Sequence, residues 1–338
     1  MTIAEGSPGS PAGGFSRRWP VAILLLSLFL LSLGVFVYLM RQGRVPRVGT
    51  ELPEALGVTR QKPASFDRTL APATRPVAVA VSPDGRRIYV AEGGGDRAIR
   101  VFGPDGALLT TATPPHTTST SRQPMDLAVA PDGTVYVVDR ILRQVLIFEP
   151  DGTFRDTLKP STVEDWAPVG ITVDAAGLIY VAEAKDLPDF QRHQIHVLRP
   201  DGTVVRSFGQ KGDGAADLMF PGHVAVDGRG RIWVGDITGV KAFSADGAYL
   251  FSLPFEGDAG VGLPGGLAYQ DGLLYVTDIT NHRALAFDVA GDQVTFAFEF
   301  GRLGFGRGQL RYPEGIAVRS GRIYIANREN SRIDIWTR

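Results

Sequence analysis

The chain of 338 residues contains no cysteine, which excludes disulfides, cysteine-ligated zinc and thiol catalysis. Histidine is scarce too. The five, at positions 116, 193, 196, 223 and 282, are dispersed and form no metal-ligand spacing. No nucleophile elbow, P-loop or HExxH segment occurs. The chain also lacks a strong charge of either sign, with a formal net charge of −1. The first fifty residues hold five arginines and one acid, so the rest holds 30 basic and 35 acidic side chains. A mildly acidic body with interspersed signs is a poor match for a phosphate backbone, and no nucleic-acid partner is expected.

Long apolar runs without charge are absent except for one. Trp19 to Met40 carries no charge and is rich in Leu, Val and Phe. As a helix it would extend roughly 33 Å, about one bilayer core. Arg17 and Arg18 precede it and Arg41, Arg44 and Arg47 follow it, with Trp19 and Tyr38 near its ends. The run is longer than a signal-peptide core, and YLMRQGR is no cleavage site. The reading is a Gly/Ser/Pro-rich disordered tail over 1–18, a transmembrane helix over 19–40, a linker over 41–63 and a folded domain over 64–338. One anchor ahead of one large domain suggests export, so the expected location is the membrane, single-pass, with the domain in the periplasm.

What is abundant is glycine (41) and proline (23). They punctuate one phrase written six times: a proline, an apolar run, a Gly/Asp turn, and a second apolar run ending in Asp, Glu or Asn. Copies begin at Pro76 (PVAVAVSPDGRRIYVAE), Pro124, Pro168, Pro221, Pro264 and Pro313 (PEGIAVRSGRIYIAN), spaced by 48, 44, 53, 43 and 49 residues. Short β-runs at this period predict an all-β, six-bladed β-propeller with four antiparallel strands per blade. Asp-Gly pairs such as Asp84-Gly85 and Asp132-Gly133 suit the hairpins, because glycine accepts positive φ. The last copy stops after its third strand, whereas residues 65–71 belong to no copy. This N-terminal strand is therefore expected to close the last blade.

Alternate connections fall on opposite faces of such a blade. The Asp-Gly turns share one face. The strand 2–3 loops and the blade crossings share the other, where nearly all the length variation lies, including 184–194, 207–220 and 300–312. Function is expected there.

The segments FGRLGFGRGQLRYPEGIAV (300–318) and ANRENSRI (326–333) resemble the NHL-repeat family of propellers, and Asp278–Arg283 repeats the second phrase. The family includes enzymes, RNA binders, sensor domains and scaffolds. In its metal-dependent relatives, peptide-amidating lyases and gluconolactonase-like propellers, ligands cluster where the inner strands start. Only Asp126, His223 and Glu314 could coordinate there. The resemblance therefore implies at most a weak metal site, and no cofactor is expected.

The acid that ends strand 2 recurs as Glu92, Asp139, Glu183, Asp236 and Asp278, with Asn327 in the sixth copy. One such residue per blade reads as a structural device accepting backbone N–H bonds, with Arg97, Arg143, Arg283 and Arg332 as partners. Loop aromatics and arginines offer contact chemistry instead. Trp166, Phe190, Arg192, Phe305 and Arg307 are the expected partner contacts, whereas Phe220 and Tyr312 are expected to pack under the crossings. The resulting expectation is a non-enzymatic, membrane-anchored scaffold. It would be an accessory or stabilising subunit of a larger membrane complex, electron-transport or photosynthetic, touching the bilayer and other membrane-protein subunits through the helix and the loop face. The alternatives are an extracytoplasmic sensor acting with a partner in trans and a metal-dependent lyase or lactonase.

Overall fold

The computed structural model describes residues 62–338 apart from Asp189 and residues 254–258. The predicted tail, transmembrane span and nearly all of the linker lie outside the described residues. Among the described residues no helix is long and apolar enough to cross a membrane.

Among the described residues, twenty-four strands form six four-stranded antiparallel sheets. A lone strand, β1 (Ser65–Pro72), precedes the first blade, which holds β2 (Pro76–Val81), β3 (Ile88–Glu92), β4 (Ile99–Phe102) and β5 (Leu108–Ala112). Blade 2 holds β6 (Pro124–Val129), β7 (Val135–Asp139), β8 (Gln144–Phe148) and β9 (Phe154–Leu158). Blade 3 holds β10 (Pro168–Val173), β11 (Ile179–Leu187), β12 (Phe190–Leu198) and β13 (Val204–Phe208). Blade 4 holds β14 (His223–Val226), β15 (Ile232–Asp236), β16 (Gly239–Phe243) and β17 (Tyr249–Ser252). Blade 5 holds β18 (Pro264–Gln270), β19 (Leu273–Asp278), β20 (Arg283–Asp288) and β21 (Thr295–Phe300). Blade 6 holds β22 (Pro313–Arg319), β23 (Arg322–Asn327) and β24 (Arg332–Thr337), and β1 supplies its fourth strand.

The closing register runs from Ser65 opposite Thr337 to Pro72 opposite Arg332. Thr69 Oγ1 donates to Asp334 Oδ1 at 2.7 Å, and the Phe66 ring meets Trp336 edge-on at 5.5 Å. Pairing β1 with β24 removes an exposed edge that could template aggregation.

Sequence chemistry explains the two ends of each blade. In the turns, Asp84, Asp105, Asp132, Asp151 and Asp201 each accept from the backbone N–H two residues on. At the axis the inner strands approach so closely that a Cβ on Gly170 would lie 2.0 Å from the Gly222 carbonyl oxygen. A Cβ on Gly315 would lie 2.5 Å from the Ala78 Cα. Only small residues fit where six strands converge.

The core lies between neighbouring blades. Val79, Ile88, Val90 and Phe102 of blade 1 pack with Tyr324, Ile333 and Ile335 of blade 6. Trp233 is fully buried among Leu274, Leu285 and Phe287 of blade 5.

The acid after strand 2 acts as a staple for the incoming crossing. Glu92 accepts from Thr74 N–H, Asp139 from Gln123, Glu183 from Ala167, Asp236 from Met219, Asp278 from Gly262, and Asn327 from Arg311. Each donor lies one or two residues before the next proline, so one side chain per blade sets where the inner strand begins. The cationic partners differ in part from expectation. Arg100, not Arg97, pairs with Glu92; Arg143 approaches Asp165; Lys241 serves Asp236. Arg283 does pair with Asp278.

Candidate functional site

The inner strands enclose a cavity of about 210 Å³ along the axis, and Asp126 and His223 line it. The Asp126 carboxylate bridges two blades. Oδ1 accepts from Leu127 N–H and Oδ2 from Ile171 N–H of β10, both at 2.9 Å. Burial pushes Asp126 up to about 7, against the downward pull of these two bonds. Burial likewise brings His223 down to about 4, so the imidazole is neutral at pH 7. Glu314 is not part of this lining, because its carboxylate is turned onto the Arg328 guanidinium. Burial raises it, and Arg328 opposes that rise.

Three candidates named by the sequence are thus held apart. Asp126 is engaged by backbone amides, Glu314 by Arg328, and only His223 presents an uncommitted donor atom to the cavity. Among the described residues no three His, Cys, Asp or Glu side chains stand together as a metal site. This set of residues does not fit a divalent ion.

The loop face carries the remaining candidates. Trp166 does not belong to the contact surface: it is 7% exposed and packs with Tyr136, Val138 and Leu158 between blades 2 and 3. The reason is its place two residues before Pro168, where the crossing dives toward the axis. Arg192 is also committed internally. Its guanidinium forks onto both oxygens of Glu183 at 2.5 and 2.8 Å and donates to the Glu164 carbonyl. Phe190 stands at the tip of the long β11–β12 hairpin, 47% exposed, with Lys185 Nζ and the Arg192 guanidinium each 5.2 Å from its ring.

Phe305 is the most exposed large apolar side chain of the described residues, at 71%. The loop that carries it is pinned. Leu310 N–H donates to the Arg302 carbonyl at 2.8 Å, and Gly306 N–H to the Gln309 side chain at 2.8 Å. Asn330 holds the Gly304 carbonyl, and Arg332 holds the carbonyls of Phe305 and Gly306. The Arg311 guanidinium covers the Phe305 ring at 4.2 Å, and Arg307 lies 5.6 Å from the ring of Phe66 on the closing strand. Arg302, Arg307 and Arg311 make no ion pair with any described residue.

Phe220 and Tyr312 do not pack under the crossings. Both are more than two-fifths exposed and hold left-handed backbone, with φ of 52° and 49°. Each backbone N–H donates to a histidine Nδ1, that of His193 or His282, and each ring rests on the same imidazole at 4.8 Å. The repeated aromatic-proline pair with a histidine in the preceding blade was the available signal.

An NHL repeat model matches residues 310–336. No curated protein matches the chain by sequence. Solved structures share the fold. A gluconolactonase from Xanthomonas campestris superimposes with a TM-score of 0.61 at 17% identity, over 84% of this chain and 92% of that one. Virginiamycin B lyase from Staphylococcus aureus gives 0.56 at 16%, over 82% and 99%. A chain of the nidogen/laminin complex gives 0.55 at 19%, over 72% and 85%. At such identity these likenesses establish the propeller, which serves enzymes and binding proteins alike.

Proposed function

We propose that this protein is a non-enzymatic, membrane-anchored propeller whose loop face binds other proteins as an accessory subunit of a larger membrane complex. The observation that carries the reading is the Phe305 loop. An exposed aromatic ring flanked by Leu303 sits on a rigid frame, with three arginines that have no acidic partner among the described residues. Aromatic and arginine side chains anchor interfaces, and a loop already held in place loses little entropy on binding. The likeness to a chain of the nidogen/laminin complex, itself an assembly of proteins, is consistent with this use of the fold. The apolar span at 19–40 supplies the membrane part of the reading.

Purification from gently solubilised membranes through a tag at Arg338 tests it. The wild-type chain is expected to bring a stoichiometric set of membrane proteins, and Phe305→Ser combined with Arg311→Gln to lose them while folding normally. A chain that purifies alone, or a variant that retains the whole set, overturns the reading. Stoichiometric calcium or zinc on a solitary chain, lost in Asp126→Asn, would instead favour the lyase or lactonase alternative.

A further inference from the structure

A second cavity, of about 490 Å³, opens on the loop face over the start of β10. Its volume falls within the usual range for small-molecule sites. The walls come from three blades. The start of β10 contributes Val169, the β11–β12 hairpin Lys185 and Leu187, and the blade 2 loop Arg140 and Arg143. Phe220, from the crossing to blade 4, completes the lining.

The cavity is charged asymmetrically. Lys185 Nζ is bound to the Asp165 carboxylate and carbonyl, and Arg143 reaches the same carboxylate at 3.7 Å. Asp186 is neutralised by Lys211, which donates to both its oxygens at 2.9 Å. Arg140 makes no ion pair among the described residues. Of the side chains that line the cavity, Arg140, Arg143 and Lys185 are cationic and Asp186 is anionic, an excess of two positive charges beside Val169, Leu187 and Phe220.

The walls are also preorganised. Burial keeps His193 below the ordinary histidine value, and its Nδ1 stands 3.2 Å from both the Leu218 carbonyl and the Phe220 backbone nitrogen, which fixes the imidazole that backs the Phe220 side chain. Lys211 Nζ lies 5.8 Å from the centroid of that ring. The Arg140–Arg143 loop is fixed by Asp139, which accepts from Ile141 and Leu142 N–H. A ligand entering here meets cations carried on a held loop together with apolar side chains.

We infer that this cavity is a binding site for a small organic carboxylate with an apolar tail, its anionic head on Arg140 and Arg143 and its tail against Val169, Leu187 and Phe220. The site is separate from the Phe305 loop and does not depend on the role proposed for that loop.

Calorimetric titration of the full chain with octanoate tests the inference, with acetate and octylammonium as controls for tail and charge. Octanoate is expected to saturate at one per chain, and neither control to do so. Arg140→Gln/Arg143→Gln removes two exposed cations, so its thermal midpoint should match wild type. It should bind octanoate at least about tenfold more weakly, as the loss of charge-assisted hydrogen bonds requires. The inference is overturned if octanoate shows no saturable uptake, if octylammonium binds equally well, or if the double variant binds like wild type.

Discussion

Glu183 and His196 meet at 2.7 Å, Oε2 to Nε2, with neither side chain open to solvent. The same carboxylate takes the Arg192 fork and the Ala167 N–H. Burial alone would raise Glu183, but the bonds from His196, Arg192 and Ala167 outweigh it and bring it down to about 2. Its contribution to stability is therefore complete above the ordinary glutamate value of 4.5 and is lost as pH falls from there toward 2. Urea midpoints should drop over that window in wild type. Glu183→Ala should be destabilised by about 3 kcal/mol at pH 7, because Arg192 and His196 lose their common partner. A variant as stable as wild type at pH 7 would refute this account.

Asp126 and His223 line one cavity and titrate in opposing senses. Asp126, raised from 3.8 to about 7, adds stability as pH falls through that interval. His223, lowered from 6.5 to about 4, removes stability as pH falls through its own. Between pH 4 and 6.5 the two slopes oppose each other, so the joint contribution of this pair should largely cancel there. Asp126→Asn should become less stable on acidification and His223→Gln more stable. Parallel denaturation series at pH 4.5, 5.5 and 6.5 decide it; like slopes in the two variants would be incompatible with this reading.

Gly170→Ala should destabilise by about 3 kcal/mol, as overpacking does when the obstacle is backbone. The new methyl would meet the Gly222 carbonyl at 2.0 Å, and no side chain can move aside. Gly177→Ala, in a turn where the new Cβ has no neighbour within 4 Å but φ is 84°, should lose less, through backbone strain alone. Thermal unfolding of the two variants should rank them in that order.

Trp336→Ala and Phe305→Ser separate architecture from surface. Trp336 packs against Phe66 and Phe300, so its loss should remove about 4 kcal/mol and loosen the closing strand. Phe305 stands in solvent, and its replacement should change stability by less than about 0.5 kcal/mol. Chemical denaturation checks both; a large loss in Phe305→Ser would mean that the ring serves the fold.

The blades, the closing strand and the stapling acids were legible because each is written in local chemistry: proline starts, Asp-Gly turns and alternating apolar runs. The loop face was less legible. Residues 184–194 read as a loop, yet most of them pair as a hairpin from Glu183 opposite Gln194 to Leu187 opposite Phe190. The alternation there is disguised by Lys185, a buried cation whose partner, Asp165, is twenty residues away. Trp166 read as a free aromatic for a similar reason, since its burial depends on Tyr136 and Leu158 of the neighbouring blade. The Phe305 surface was anticipated as residues, but its rigidity comes from Arg332 and Asn330, which no local pattern connects to it.

The clasp between Thr69 and Asp334 spans 265 residues of chain. During synthesis β1 emerges first among the strands and must wait, unpartnered, until the last of them leaves the ribosome. Five blades can stack in the meantime, but the ring stays an open crescent with an apolar flank at each end. The entropy of drawing such distant ends together grows only logarithmically with length, so the delay is a matter of time more than of free energy. A nascent chain of this design is most exposed to misassociation just before its final strand appears, while the edge that β1 will share is still open.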